Sequence, residues 1–212
     1  GDEVVLLDNS GKEYSAVIAA AEKRCMKLHV IGENEGDREA TADVALLFGY
    51  LKNADKNEFI VQKAVELGVK KIVAFSSEYS SAYMNENKLE RLNKVSREAA
   101  KQCLRSVAPR VIYCGDFQSA LKEADGYENK LFACEFAKDS EAELSTLKGG
   151  CALIVGSEGG FSEKEAALAK ENGFSSITLG KRILRAETAA VALMAVVMFS
   201  LGELGGRRGG KE

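Results

Sequence analysis

The chain has 212 residues, 46% of them hydrophobic, with 29 Lys and Arg against 32 Asp and Glu for a formal net charge of −3. That length and apolar fraction suit one core of ordinary size with a small appendage. No apolar run is long enough to span a bilayer and no leader precedes Gly1-Asp2-Glu3, so a soluble, cytoplasmic protein is expected. The acidic balance argues against a uniformly basic nucleic-acid coat but leaves room for a local basic face.

Five scattered cysteines (Cys25, Cys103, Cys114, Cys134, Cys151), one histidine and no Cys-x-x-Cys pair argue against a metal site. Cys114, Cys134 and Cys151 fall in or beside apolar segments and read as core filler. His29 has no second histidine near it in sequence and reads as structural.

In chain order, the first forty residues predict short strands over 4–7, 14–18 and 27–31, with turn chemistry at Asn9-Ser10-Gly11. They form an all-β unit (1–40) too small for a complete barrel. The polar stretch 33–43 reads as a linker. From Val44 onward strands and helices alternate. Strands are predicted at 44–48, 71–75, 111–114, 131–134, 152–155 and 177–179. Helices are predicted at 55–67, 88–105, 116–124, 139–147, 166–171 and 189–201. This alternation defines an α/β domain with a mostly parallel sheet covered on both faces. Gly68 marks a helix end, Ser162-Glu163-Lys164-Glu165 is a capping box, and the tail 205–212 reads as frayed.

Four segments stand out. Gly156-Ser157-Glu158-Gly159-Gly160-Phe161 follows a strand and precedes a helix. Glycines there permit close backbone approach to a ligand, and the helix start offers N–H donors. The spacing fits neither G-x-G-x-x-G nor a P-loop, and a tight turn explains it as well. Leu179 to Ala189 carries Arg185 and Glu187 beside a small residue; capping of the next helix is the plain alternative. On the helix 88–105, Arg91, Lys94, Arg97, Lys101 and Arg105 share one side, with Gln102 beside them. That stripe is either a phosphate-binding face or a solvated one. The helix 189–201 is apolar nearly all round and is expected to be buried, in the monomer or in a partner subunit.

Together these segments resemble the RsmE family, bacterial methyltransferases acting on N3 of a uridine in small-subunit (16S) ribosomal RNA. Gln62-Lys63-Ala64-Val65-Glu66-Leu67-Gly68-Val69 is similar to Q-K-A-x-E-L-G-V. Arg91, then Glu98-Ala99-Ala100-Lys101-Gln102-Cys103-Leu104-Arg105 and Pro109, is similar to R…E-A-x-x-Q-x-x-R…P. Gly156 to Phe161, Leu179-Gly180 and Ile183-Leu184-Arg185-Ala186-Glu187-Thr188-Ala189 are similar to G-P-E-G-G-F…L-G…I-L-R-x-E-T-A.

The resemblance implies a SPOUT-type α/β domain (41–212) with a C-terminal trefoil knot, a partial PUA-like β-barrel before it, S-adenosylmethionine as cofactor, no metal and a homodimer. It places the cofactor on Gly156, Glu158, Gly159, Gly160, Leu179, Gly180, Ile183, Leu184, Thr188 and Ala189. Catalysis falls to Arg185 and Glu187, and RNA contacts to Arg91, Lys101, Gln102 and Arg105. Glu187 and Glu158 both remain candidates for orienting Arg185 or serving as base. Three departures follow: Gly1 falls inside the barrel, weakening RNA binding; Ser157 replaces a proline; and Tyr79 stands at a frequent arginine. A non-catalytic RNA-binding protein of the same fold, and an unrelated nucleotide-binding α/β protein, are the rival readings.

Overall fold

The computed structural model describes residues 1–134 and 142–205. Strands β1 (Glu3–Leu7), β2 (Lys12–Ala21) and β3 (Met26–Glu35) form an antiparallel sheet in that order. The β1–β2 turn is set locally. Asp8 Oδ1 accepts the Ser10 N–H at 3.0 Å, and Asn9 and Gly11 take positive φ, as Asx-type turns favour. β2 and β3 run several residues beyond their expected ends, so the connection to the next unit begins after Glu35. His29 stands exposed on β3.

The rest is an α/β sandwich. Strands β4 (Val44–Gly49), β5 (Lys71–Ser76), β6 (Val111–Asp116), β7 (Asn129–Ala133), β8 (Cys151–Val155) and β9 (Ser175–Ile177) form a parallel six-stranded sheet, ordered β6-β5-β4-β8-β7-β9. β4 and β8 lie at its centre and are buried throughout, which is why both read as unbroken apolar runs. Val44, Leu46 and Phe48 face one core layer with α1 (Ala54–Glu66), α2 (Glu86–Cys103) and α5 (Ala186–Ser200). Ala45 and Leu47 face the other, with α3 (Phe117–Lys122) and α4 (Glu163–Glu171). Phe75, Phe117, Phe161 and Phe132 run through that second layer as a chain of ring contacts at centroid spacings of 5.2–5.9 Å, the first two pairs tilted and the Phe161–Phe132 pair edge-on.

Helix ends follow their sequence signals. Asn53 caps α1 and Asn85 caps α2. At α4, Ser162 Oγ accepts the Glu165 N–H (3.2 Å) while Glu165 Oε2 accepts the Ser162 N–H (3.0 Å), the expected capping box. α2 ends on Leu104, a non-glycine residue at φ 60; the turn swings Arg105 inward. Two expectations shift. Only a 3₁₀ turn at Leu144–Thr146 lies within the expected helix 139–147, and residues 139–141 fall outside the described residues. The last strand is Ser175–Ile177, two residues earlier than expected, because Thr178 and Leu179 leave the sheet to wall a cavity. Of the expected tail, only Gly205 is described. Cys134 and Cys151 are buried, with burial pushing the Cys151 thiol up to about 12.

Candidate active site

Two loops at the C-terminal edge of the sheet build the cavity. The first leaves β8 at Gly156. Gly160 takes φ 67 and its N–H donates to the Ser157 carbonyl at 3.0 Å, closing a tight turn. This turn lies against the end of β4. A Cβ on Gly49 would stand 2.5 Å from the Ser157 nitrogen, closer than real Cβ contacts allow. The Ser157 and Ser77 hydroxyls pair at 2.8 Å, and Glu158 Oε1 accepts the Lys52 N–H at 3.0 Å. Gly159 packs on Tyr79: an added Cβ would meet the Tyr79 Cβ at 2.6 Å. The tyrosine thus occupies the position read as a frequent arginine by lying over this glycine.

The second loop leaves β9 at Thr178. Gly180 takes φ 102, a conformation that favours glycine. The chain then turns into α5 with Arg185 as its N-cap residue, whose carbonyl accepts the Ala189 N–H at 2.8 Å. β7 lies between β8 and β9 in the sheet, so both loops emerge on the same edge with Ala133 and Cys134 beneath them. Between them is a cavity of about 480 Å³, within the range of small-molecule sites. Val155, Phe161 and Ile177 give it a buried apolar floor. Lys181, Arg182 and Arg185 are exposed along it.

Ten of the expected site residues line this cavity: Gly156, Glu158, Gly160, Leu179, Gly180, Ile183, Leu184, Arg185, Glu187 and Ala189. Gly159 and Thr188 do not; the first is turned to Tyr79 and the second is exposed on α5. Ser157, Phe161, Thr178, Lys181, Arg182 and Lys56 also line it. The adjacent cations Lys181-Arg182 are visible in the sequence, whereas nothing local marks Lys56, which arrives from α1, packed beside α5 on the same face of the sheet.

The Arg185 side chain makes no ion pair or hydrogen bond with the described residues. Glu187 is different. Its Oε1 lies 3.0 Å from Lys56 Nζ, and its Oε2 is shielded with no hydrogen-bond partner among the described residues. Burial works against its charge, but its own backbone N–H, Lys56 and Arg185 outweigh this and hold the carboxyl below the usual range. The residues fit a nucleoside-sized sulfonium cofactor: apolar floor, exposed backbone at two glycine loops and sufficient volume.

The expected RNA residues lie elsewhere. Arg91 and Gln102 line a groove between α1 and α2, and Lys101 lines a cleft facing Asn9. Carboxylates neutralise much of the stripe: Arg91 pairs with Glu58, Arg97 with Glu90 (2.7 Å) and Lys101 with Glu98 (3.0 Å). Arg105 departs most from a phosphate-facing position. It is 4% exposed; its guanidinium donates to Glu39 and to the Val65 and Val69 carbonyls, both at 2.9 Å. The helical period groups it with the stripe, but α2 has already ended when the chain reaches it.

A domain with a cleft at the strand C-termini of a parallel sheet, floored by apolar side chains and rimmed by cations, is that of a nucleotide-type ligand binder acting on an anionic substrate. Residues 38–198 match the family model described as RNA methyltransferase domain. The chain is 36% identical over 171 residues to the ribosomal RNA small subunit methyltransferase E of Mesomycoplasma hyopneumoniae, covering 79% of this chain and 74% of that protein. The crystal structure of a ribosomal RNA small subunit methyltransferase E from Neisseria gonorrhoeae bound to S-adenosyl methionine superposes with TM-score 0.85 at 29% identity, covering 94% of this chain and 84% of that one. A TrmH/SpoU tRNA modifying enzyme of Aquifex aeolicus, 17% identical and covering 79% of each chain, shares the fold at TM-score 0.55. The chain belongs to the ribosomal RNA small subunit methyltransferase E family, that is, RsmE.

Among the described residues no helix is long and apolar enough to cross a membrane.

Proposed function

We propose that this protein is an S-adenosylmethionine-dependent methyltransferase acting on N3 of a uridine in small-subunit (16S) ribosomal RNA, in the cytoplasm. The observation that carries this reading is the cavity between the Gly156 and Gly180 loops, lined by Arg185, which pairs with no side chain among the described residues. S-adenosylmethionine, when bound, supplies an electrophilic methyl group. The chain's own residues bind it, position the base and stabilise the base's anion. Backbone groups of Leu179, Gly180, Ile183 and Leu184 hold the adenine, while Gly156, Glu158 and Gly160 line the remainder; Thr188 and Gly159 support these loops from outside.

Uridine N3 carries a proton and is a poor nucleophile until that proton leaves for water. Arg185 stabilises the charge that then develops on the uracil oxygens, as a fixed cation can in a partly desolvated site. Glu187 acts through its neighbours, orienting cations. Its shielded, Lys56-bound carboxylate is a poor proton acceptor for a base held in the cavity.

Residues 41–212 form the SPOUT methyltransferase domain in this reading, and the loops from β8 and β9, converging across β7, belong to a trefoil knot. Residues 1–40 contribute strands of a PUA-like barrel for RNA. Arg91, Lys101 and Gln102 contact RNA, joined by Lys181 and Arg182, whereas Arg105 braces the fold beneath them. The active form is a homodimer: Val196 and Phe199 are exposed on α5, Phe199 by 66%, and Ile183 is 87% exposed beside the cavity. Apolar groups left so open on a helix suit an isologous interface.

Calorimetric titration with S-adenosylmethionine, followed by methylation of small-subunit RNA and mapping of the modified atom, tests the reading. Binding near one per chain and a methyl on uridine N3 are expected. A folded protein that binds no cofactor would overturn it, and binding without transfer would leave a non-catalytic RNA-binding protein of the same fold.

A further inference from the structure

Lys56 enters the reading so far only as the partner of Glu187, yet it is the one cation that α1 sends into the cavity wall. It sits in the first turn of α1. A cation there works against the helix dipole, which favours carboxylates such as the neighbouring Asp55. The turn that carries it is held firmly. The buried Asn57 side chain accepts the Leu51 N–H (2.8 Å) and donates to the Leu51 and Asn53 carbonyls (2.8 and 2.9 Å). The Lys52 N–H is fixed on Glu158. Lys56 Nζ reaches Glu187 Oε1 at 3.0 Å, both side chains being largely covered.

An ammonium has three donors, and among the described residues Lys56 directs one to Glu187. A covered cation with unused donors, lining a ligand-sized cavity, is built to meet an oxygen anion. We infer that Lys56, anchored by Glu187, is an anion-binding residue of the methyl-transfer site and takes an anionic oxygen of a bound ligand. This rests on the methyltransferase reading. Two oxygens have that chemistry: the amino-acid carboxylate of the cofactor and the enolate-type oxygen of the deprotonated uracil. Glu187 touches Lys56; the other ionisable groups lining the same cavity are Arg185 at the start of α5, Lys181 and Arg182 in the β9–α5 loop, Glu158 after β8 and Cys134 after β7.

The test compares the unsubstituted chain with K56M and K56R. Affinities are measured by calorimetry for S-adenosylhomocysteine, which carries the amino-acid carboxylate, and for 5′-methylthioadenosine, which lacks it. Methylation of small-subunit RNA is measured alongside. If Lys56 takes the cofactor carboxylate, K56M weakens S-adenosylhomocysteine about ten- to a hundredfold, as expected for loss of a charge-assisted hydrogen bond. It then leaves 5′-methylthioadenosine unchanged, and K56R restores most of the loss. If Lys56 takes the uracil oxygen, both affinities stay unchanged while kcat falls and its pH profile moves to higher pH, again restored by K56R. Equal weakening of both ligands by K56M overturns the inference, since the lysine then only shapes the pocket. So does a K56M protein with unchanged affinities and unchanged kcat. A wild-type chain that binds neither ligand would instead bring down the methyltransferase reading itself.

Discussion

Arg105 and Glu39 stand 66 residues apart in sequence and meet with Arg105 Nη2 2.8 Å and Nε 3.1 Å from Glu39 Oε2. The same guanidinium closes on the carbonyls at the end of α1, and the Val107 N–H donates to Glu39 Oε1 at 3.0 Å. Next to this cluster, the Ala108 N–H donates to Asn9 Oδ1 in the β1–β2 turn. The pair therefore locks the segment entering β4 and the end of α2 into one corner and braces it near the N-terminal sheet.

Breaking that pair should destabilise the protein. R105A takes from Glu39 its charged partner, leaving only the Val107 N–H on it, and removes a donor from each of the Val65 and Val69 carbonyls, a loss of about 3–5 kcal/mol, or roughly 6–20 °C in Tm for a chain of this size. Thermal unfolding measures it. A Tm within a degree or two of wild type would show that the arginine is not a brace.

The pair also fixes a pH dependence. Burial raises the Glu39 pKa, but Arg105, the Val107 N–H and Lys70 outweigh it, so the net shift is downward from 4.5. A carboxyl depressed in the folded state stabilises above its unfolded pKa, and that contribution is lost as pH falls through the folded value. Wild-type stability should therefore fall from about pH 4.5 downward more steeply than that of E39Q. Parallel acid-unfolding curves would contradict this.

Arg185→Ala should keep cofactor affinity within about twofold and lower kcat about 10²- to 10³-fold, the usual cost of losing a group aimed at developing charge. Single-turnover assays with saturating cofactor decide it. Undiminished turnover would remove Arg185 from the chemistry.

Gly49→Ala tests the seating of the first loop. The added methyl meets the backbone of Gly156 and Ser157, not a flexible side chain, so the loop must move. A stability loss of roughly 1–3 kcal/mol and clearly weaker cofactor binding are expected. Unchanged calorimetry would mean that the loop tolerates displacement.

Two further variants probe the surfaces. K181A/R182A should lower the slope of log affinity for RNA against log salt by about 0.7 for each phosphate that the variant no longer neutralises on a single-stranded substrate. An unchanged slope would place the RNA elsewhere. F199E should turn a dimer into monomers in sedimentation velocity without unfolding the chain, because Phe199 lies outside the core; persistent dimers would move the interface off α5.

Much of this is readable in the chain. Ser162 and Glu165 announce their capping box, and the runs at Val44 and Cys151 announce central strands, because local hydrogen bonding and two-sided burial leave direct marks on sequence. The glycine loops are readable as tight turns at a strand edge, and they wall a cavity there. Residues whose roles arise from long-range packing are not. Lys56 looks like any helix-surface lysine until α1 docks beside α5. Arg105 continues the spacing of the basic stripe, and only the left-handed turn at Leu104 takes it inward. Glu58, which neutralises Arg91, belongs to a different helix and cannot be counted from α2 alone.

β9 is three residues long, lies at the edge of the sheet and, among the described strands, pairs with β7. Yet the whole second wall of the cavity hangs from it. A wall held by so little backbone pairing has fewer ladder hydrogen bonds to lose on opening than the central strands, and a ligand gripping both walls holds it shut by mass action, by RT ln(1 + [L]/Kd). Resistance to proteolysis in the 178–185 segment should then rise with ligand concentration, making the protein's own durability a gauge of how much methyl donor surrounds it.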